Sequence, residues 1–168
     1  MKKNILIIDD EVDIRNGIID IMIDDGHHVY DASNSSEALV IFEVNKIDLI
    51  ILDVWLDNSE LDGIELLKKF KSLSAKAQII IISGHGNIEM AISAIRLGAY
   101  EFIEKPFASE KLSLTCKRAI EANDIKNENI KLRNNDFYDY EFIGNSSKIL
   151  KIKQLIEKVS STSSRIII

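Results

Sequence analysis

The sequence holds one cysteine, Cys116, and one proline, Pro106, in 168 residues. A lone cysteine excludes any disulfide within the chain. Long apolar runs are missing too. The first, Ile5 to Ile8, is closed by Asp9 and Asp10, too short for a membrane span or for a signal-peptide core. A cytoplasmic protein is expected. No internal repeat, no low-complexity block and no helix-turn-helix stands out. The phosphate-binding loop G-x-x-x-x-G-K-[ST] occurs nowhere, so ATP hydrolysis is not expected of these residues. His27, His28 and His85 have no metal-ligand spacing with one another or with the cysteine, and surface or turn roles are expected for them.

What is present is an ordinary globular composition, 46% hydrophobic, with a net charge of −6. The charge is unevenly spread. Residues 1–110 carry 10 Lys/Arg against 20 Asp/Glu, leaving 11 against 7 in residues 111–168. The acidic first part argues against a grip on nucleic-acid phosphates, which Lys and Arg dominate. The mildly basic remainder is too mixed in sign to form such a patch.

Short apolar runs alternate with amphipathic stretches, the pattern of a parallel α/β sheet covered on both faces. Strands are predicted at Asn4–Asp9, His28–Ala32, Leu49–Val54, Gln78–Ser83 and Glu101–Ile103. Helices are predicted at Val12–Asp24, Asn34–Val44, Gly63–Phe70 and Ile88–Leu97, with a fifth starting near Ser109 and reaching as far as Lys131. Asn34 stands three residues before Glu37, a capping-box spacing, and Gly98 is placed as a helix stop. Five β/α repeats make a doubly wound domain, whose ligand site lies at the carboxyl ends of the strands where their order reverses.

Residues with chemical potential sit at those ends. Asp9 and Asp10 follow the first strand and Asp53 the third. Converging carboxylates repel and need a cation, and oxygen ligands suit Mg²⁺. Equally, an Asp pair can serve only to cap the next helix. Ser83 ends the fourth strand, placed either to bond a phosphoryl oxygen or merely to open a glycine turn. Lys105 precedes Pro106 after the fifth strand, suited to pair with an anion or to sit solvated in a turn. Taken together, the order Asp pair, Asp, Ser and Lys-Pro along one sheet is more specific than any member.

Four segments carry a resemblance: Ile5-Leu-Ile-Ile-Asp-Asp-Glu, Leu52-Asp-Val-Trp-Leu, Ile82-Ser-Gly-His-Gly and Phe102-Ile-Glu-Lys-Pro-Phe. Together they resemble the motifs of response-regulator receivers over about residues 3–122. Ser83–Phe107 and the Asp-Val-Trp-Leu segment resemble the NtrX branch of the NtrC group. The resemblance implies a flavodoxin-like (CheY-like) (βα)5 fold and phosphoryl transfer to Asp53 from a sensor histidine kinase, here NtrY-like. It implies Mg²⁺ held by Asp10, Asp53 and the Trp55 backbone carbonyl, with Asp9 acting largely through water. Ser83 and Lys105 would contact the phosphoryl oxygens, and Phe102 would be the aromatic that reports the switch, although a strand aromatic also serves as plain core. Output is expected through the α4-β5-α5 surface as a homodimer aided by the fifth helix. Between Asp53 and Gly63 the chain has two more residues than the common receiver pattern, so the loop Asp57–Leu61 is expected to be longer and more mobile. Trp55 is expected to be partly exposed beside the pocket.

Residues 123–141 form a polar stretch that reads as a linker with a helical first half and a looser second half, or as a helix pairing with a partner. Residues 142–168 turn apolar again, with a helix carrying Ile149, Ile152, Leu155 and Ile156 and a strand opening at Arg165. This tail resembles the start of a sigma-54-interacting AAA+ domain, a remainder that cannot bury its own apolar faces. Contacts with DNA and sigma-54 RNA polymerase would belong to domains not in this chain. A competing reading is a haloacid-dehalogenase-type phosphatase, which also uses an aspartyl nucleophile and Mg²⁺. It would want D-x-D-x-[TV] after the first strand. A flavodoxin-like FMN site is disfavoured, because a carboxylate-lined pocket repels phosphate.

Overall fold

Five runs of Ile, Leu and Val become the five strands of one parallel sheet in the computed structural model, which describes residues 2–57, 59–73, 77–84, 88–138 and 146–160. The strands are β1 (Asn4–Ile8), β2 (His28–Ala32), β3 (Leu49–Asp53), β4 (Gln78–Ser83) and β5 (Glu101–Glu104). The helices are α1 (Val12–Asp24), α2 (Ser35–Val44), α3 (Gly63–Leu73), α4 (Ile88–Arg96), α5 (Ser109–Tyr138) and α6 (Ser147–Ser160). The sheet order is β2-β1-β3-β4-β5, and every pairing is parallel. This is the flavodoxin-like architecture expected from the sequence.

Alternation along each strand splits the core in two. Leu6, Ile8, Ile50, Leu52, Ile79 and Ile81 face one side, with Ala38, Leu66, Leu67, Phe70 and Ala94 from α2, α3 and α4. Ile5, Ile7, Leu49, Ile51, Ile80 and Ile82 face the other, with Ile18 and Met22 of α1 and Leu112, Cys116 and Ala119 of α5. Cys116 is core, and burial pushes its thiol up to about 12. Compact units cover Met1–Asn127 and Glu128–Ile168. Among the described residues no helix is long and apolar enough to cross a membrane.

Several expected boundaries move. Asp9 and Val54 lie just beyond β1 and β3, while β5 gains Glu104. Gly98, at φ +99°, ends α4 at Arg96, and Ala99 N–H bonds the Ala94 carbonyl. The larger correction concerns α5, which continues through the polar stretch to Tyr138 rather than loosening. No glycine or proline interrupts Ser109–Tyr138, and its many Lys, Glu, Leu and Ala residues are good helix formers. The strand expected at Arg165–Ile168 lies outside the described residues, as does His85.

Candidate functional site

The strand order reverses between β1 and β3, and the register sets Ile8 beside Leu52. The next residues along, Asp9 and Asp53, therefore meet at the carboxyl ends of neighbouring strands. Asp9 is fully buried and Asp53 is 3% exposed. With the half-exposed Asp10 they form a cluster in which one carboxylate oxygen from each residue lies within 4.8 Å of the other two. The separation of 43 residues between Asp10 and Asp53 is closed by topology alone.

Lys105 reaches the cluster from the far side of β4. Its N–H bonds the Ser83 carbonyl at 2.8 Å, continuing the β4–β5 pairing past Glu104. From there its ammonium donates to Asp53 Oδ2 at 2.6 Å, to Asp9 Oδ2 at 2.9 Å and to Glu11 Oε1 at 3.1 Å. The Lys105–Pro106 peptide is cis. Backbone amides reach one oxygen of each aspartate. Glu11 N–H donates to Asp9 Oδ1 at 2.9 Å, Trp55 N–H to Asp53 Oδ1 at 3.2 Å and Asp57 N–H to Asp10 Oδ2 at 3.3 Å.

Burial raises the carboxyls of Asp9 and Asp53 above their ordinary range, and the Lys105 hydrogen bonds only partly offset it. Burial likewise disfavours the Lys105 ammonium, but its bonds to Asp53 and Asp9 more than compensate and hold it protonated well above the usual lysine range. One ammonium faces three aspartates and Glu11, so the pocket keeps an excess of negative charge. An oxygen-only donor set with surplus negative charge fits a hard divalent cation.

Ser83, fully buried at the end of β4, faces Glu104 across the β4–β5 register. Phe102 is half-buried and packs on the α2–α4 side of the core. Trp55 is 54% exposed, its indole outside the core while its amide caps Asp53. Asp9, Asp10, Asp53 and Lys105 are thus brought together, with Ser83 on the adjoining strand end.

Three contributors escaped the sequence reading. Glu11 adds a fourth carboxylate, recognisable only once Lys105 is known to reach it. Gly63 presses on the Asp53 backbone, and Arg15 donates to the Asp9 carbonyl at 2.6 Å. Part of the loop beyond Asp53 is hydrogen-bonded to α2. Ser59 Oγ accepts from the Ser35 amide and donates to the Leu61 carbonyl, both at 2.9 Å.

The chain belongs to the family of response regulator receiver domains, which its residues 5–117 match. Within that family its similarity lies with NtrX regulators. It is 46% identical over 98% of its length to a putative NtrX-like response regulator of Rickettsia bellii (strain RML369-C), covering 34% of that protein. The crystal structure of the NtrX receiver domain from Brucella abortus is 47% identical, with a TM-score of 0.68 over 70% of this chain and 98% of that one. A longer Brucella abortus NtrX structure gives 42% identity and a TM-score of 0.77, covering 99% of this chain and 36% of that one. The chain spans about a third of the length of its NtrX-like curated relatives. With this membership, and with contiguous Asp9-Asp10 after β1 where a D-x-D would be needed, the haloacid-dehalogenase reading is set aside.

Proposed function

We propose that Asp53 accepts a phosphoryl group from a sensor histidine kinase of NtrY type, in a Mg²⁺-dependent reaction. The supporting observation is the buried ammonium of Lys105 spanning Asp53 and Asp9, which marks a place built to hold compact negative charge. A carboxylate oxygen of Asp53 attacks phosphorus. The new O–P bond forms as the P–N bond to the kinase imidazole breaks, and the imidazole nitrogen keeps the electron pair. Lys105 then pairs with a phosphoryl oxygen, and the Ser83 hydroxyl donates to another. Asp10, Asp53 and the Trp55 carbonyl would hold Mg²⁺ directly, and Asp9 would act on it largely through water. When bound, the ion neutralises the phosphoryl oxygens and the surrounding carboxylates.

The added charge draws Ser83 and Lys105 inward and rotates Phe102, biasing the α4-β5-α5 surface. On that surface α4 leaves Ile88, Ile92 and Ile95 exposed, apolar area that homodimerisation would cover, with α5 extending the contact. We assign residues 1–122 to the receiver, 123–141 to a linker and 142–168 to the opening of a sigma-54-interacting AAA+ domain. The protein acts in the cytoplasm as a phosphoacceptor that assists its own phosphorylation and dephosphorylation, and contacts with DNA and sigma-54 RNA polymerase lie outside these residues. Incubation with Mg²⁺ and acetyl phosphate followed by intact-mass measurement tests the assignment. One phosphoryl group on the wild type and none on Asp53→Asn is expected. Equal labelling of both would remove Asp53 from its role.

A further inference from the structure

β1 ends at Ile8, and the Asp9 N–H still bonds the Ala32 carbonyl at 3.2 Å. The Asp9 carbonyl, which joins the two aspartates of the pocket, instead accepts from Arg15 Nη1 at 2.6 Å. Arg15 Nε donates at the same time to Asp31 Oδ2 at 3.2 Å, so one guanidinium links α1, the β1–α1 junction and β2. Its side chain is only 12% exposed, against 53% for Asp31. A cation in the first turns of a helix is placed against the helix dipole, so general helix stabilisation does not account for it. Helical side chains lean toward the N-terminus, which carries Arg15 back over Asp9.

We propose that Arg15 is a positioning residue for the acidic pocket: by pinning the Asp9–Asp10 peptide plane it sets the directions in which both carboxylates leave the backbone. The inference rests on the reading of the aspartate cluster as a divalent-cation site. The Ala32 carbonyl holds the Asp9 N–H in the Ile8–Asp9 peptide and Arg15 holds the carbonyl of the Asp9–Asp10 peptide, so the backbone is fixed on both sides of the Asp9 Cα and Asp10 stays within reach of Asp53. Arg15 touches neither the cation nor the phosphoryl group, and it acts through the backbone it holds.

Charge and positioning predict opposite signs, which makes the test decisive. If Arg15 contributed only positive charge, its removal would relieve repulsion and tighten Mg²⁺ binding. If it positions, removal weakens binding. The full chain is titrated with Mg²⁺ alone, followed through Trp55, its one tryptophan, and by calorimetry. Arg15→Ala and Arg15→Lys are expected to bind about tenfold more weakly, as when outer-shell partners of metal ligands are removed. Lysine keeps the charge but not the planar fork. Asp31→Asn, which loosens the guanidinium without touching the pocket, is expected to show a smaller loss in the same direction. At saturating Mg²⁺ the variants should still take up one phosphoryl group from acetyl phosphate.

Unchanged or tighter binding by folded Arg15→Ala overturns the inference. If that variant does not fold by circular dichroism, Arg15→Lys and Asp31→Asn decide by the same criterion. A wild type that binds no Mg²⁺ overturns the cation-site reading as well, whereas wild-type binding with unaltered variants overturns this inference alone.

Discussion

A β-carbon on Gly63 would lie 2.1 Å from the carbonyl oxygen of Asp53 and 2.6 Å from the Cα of Val54. The first residue of α3 is thus seated directly on the backbone of Asp53, and Gly63 N–H bonds the Val54 carbonyl at 2.9 Å. Both obstructing groups are main chain, so no side chain can swing away to make room. Gly63→Ala is expected to lose about 3 kcal/mol, the upper part of the usual overpacking range, as measured by urea denaturation. It should also lower labelling by acetyl phosphate, because the strain falls on Asp53 itself.

Lys105 is the counterion of the resting pocket. Lys105→Met leaves Asp9, Asp53 and Glu11 facing one another with no ammonium between them. Breaking a buried pair from one side costs about 3–5 kcal/mol, and the lower end is expected here because Glu11 is exposed. Added Mg²⁺ should restore part of the loss, giving this variant a larger metal-dependent rise in Tm than the wild type.

The pocket sets a pH dependence with a definite sign. Asp9 and Asp53 have folded carboxyls raised above the ordinary 3.8, chiefly by burial. The folded state holds their protons more tightly than the unfolded chain, so their contribution is complete below that value. It falls as pH rises through the folded range above it. At neutral pH the two charges are therefore a cost, and Asp53→Asn is expected to raise the urea midpoint at pH 7. Lys105 is raised above 10.5 by its carboxylate partners, against the effect of burial. Its contribution is intact below that value and is lost at more alkaline pH. A stability profile of Lys105→Met should lack this alkaline loss.

Asn123 sits on α5 at 4% exposure, and its Oδ1 is buried with no hydrogen-bond partner among the described residues. An unsatisfied buried polar group costs about 1–3 kcal/mol. Asn123→Leu should remove that cost and raise the midpoint of chemical denaturation, leaving phosphoacceptor chemistry at the opposite end of the strands unchanged. A fall in stability would show that the amide has a partner the side chain needs.

Much of the architecture was legible in sequence because it depends on local chemistry. The unbroken Ile/Leu/Val runs of β1, β3 and β4 announce strands buried on both faces, and Gly98 announces the end of α4. Asn34 caps α2 as its spacing predicts, its Oδ1 accepting from the Glu37 amide at 3.0 Å. The other half of that capping box did not form, since the Glu37 carboxylate accepts from the amide and hydroxyl of Ser33. Pattern alone could not choose between these neighbouring donors. The loop after Asp53 was expected to be mobile from its extra length. Its fastening to α2 through Ser59 and Ser35 needed the tertiary structure, because the partners lie 24 residues apart.

By itself the chain determined where each strand ends to within one residue, since strand length follows from where apolar runs stop. It thereby determined that aspartate, serine and lysine would share one rim of the sheet. Folding decided the rest: that one ammonium serves Asp9 and Asp53 together, that Gly63 bears on the Asp53 carbonyl, and that Arg15 holds the peptide between Asp9 and Asp10. Those are contacts between segments distant in sequence. Their existence depends on helix placement and strand order to within an ångström, which no local pattern of residue types encodes.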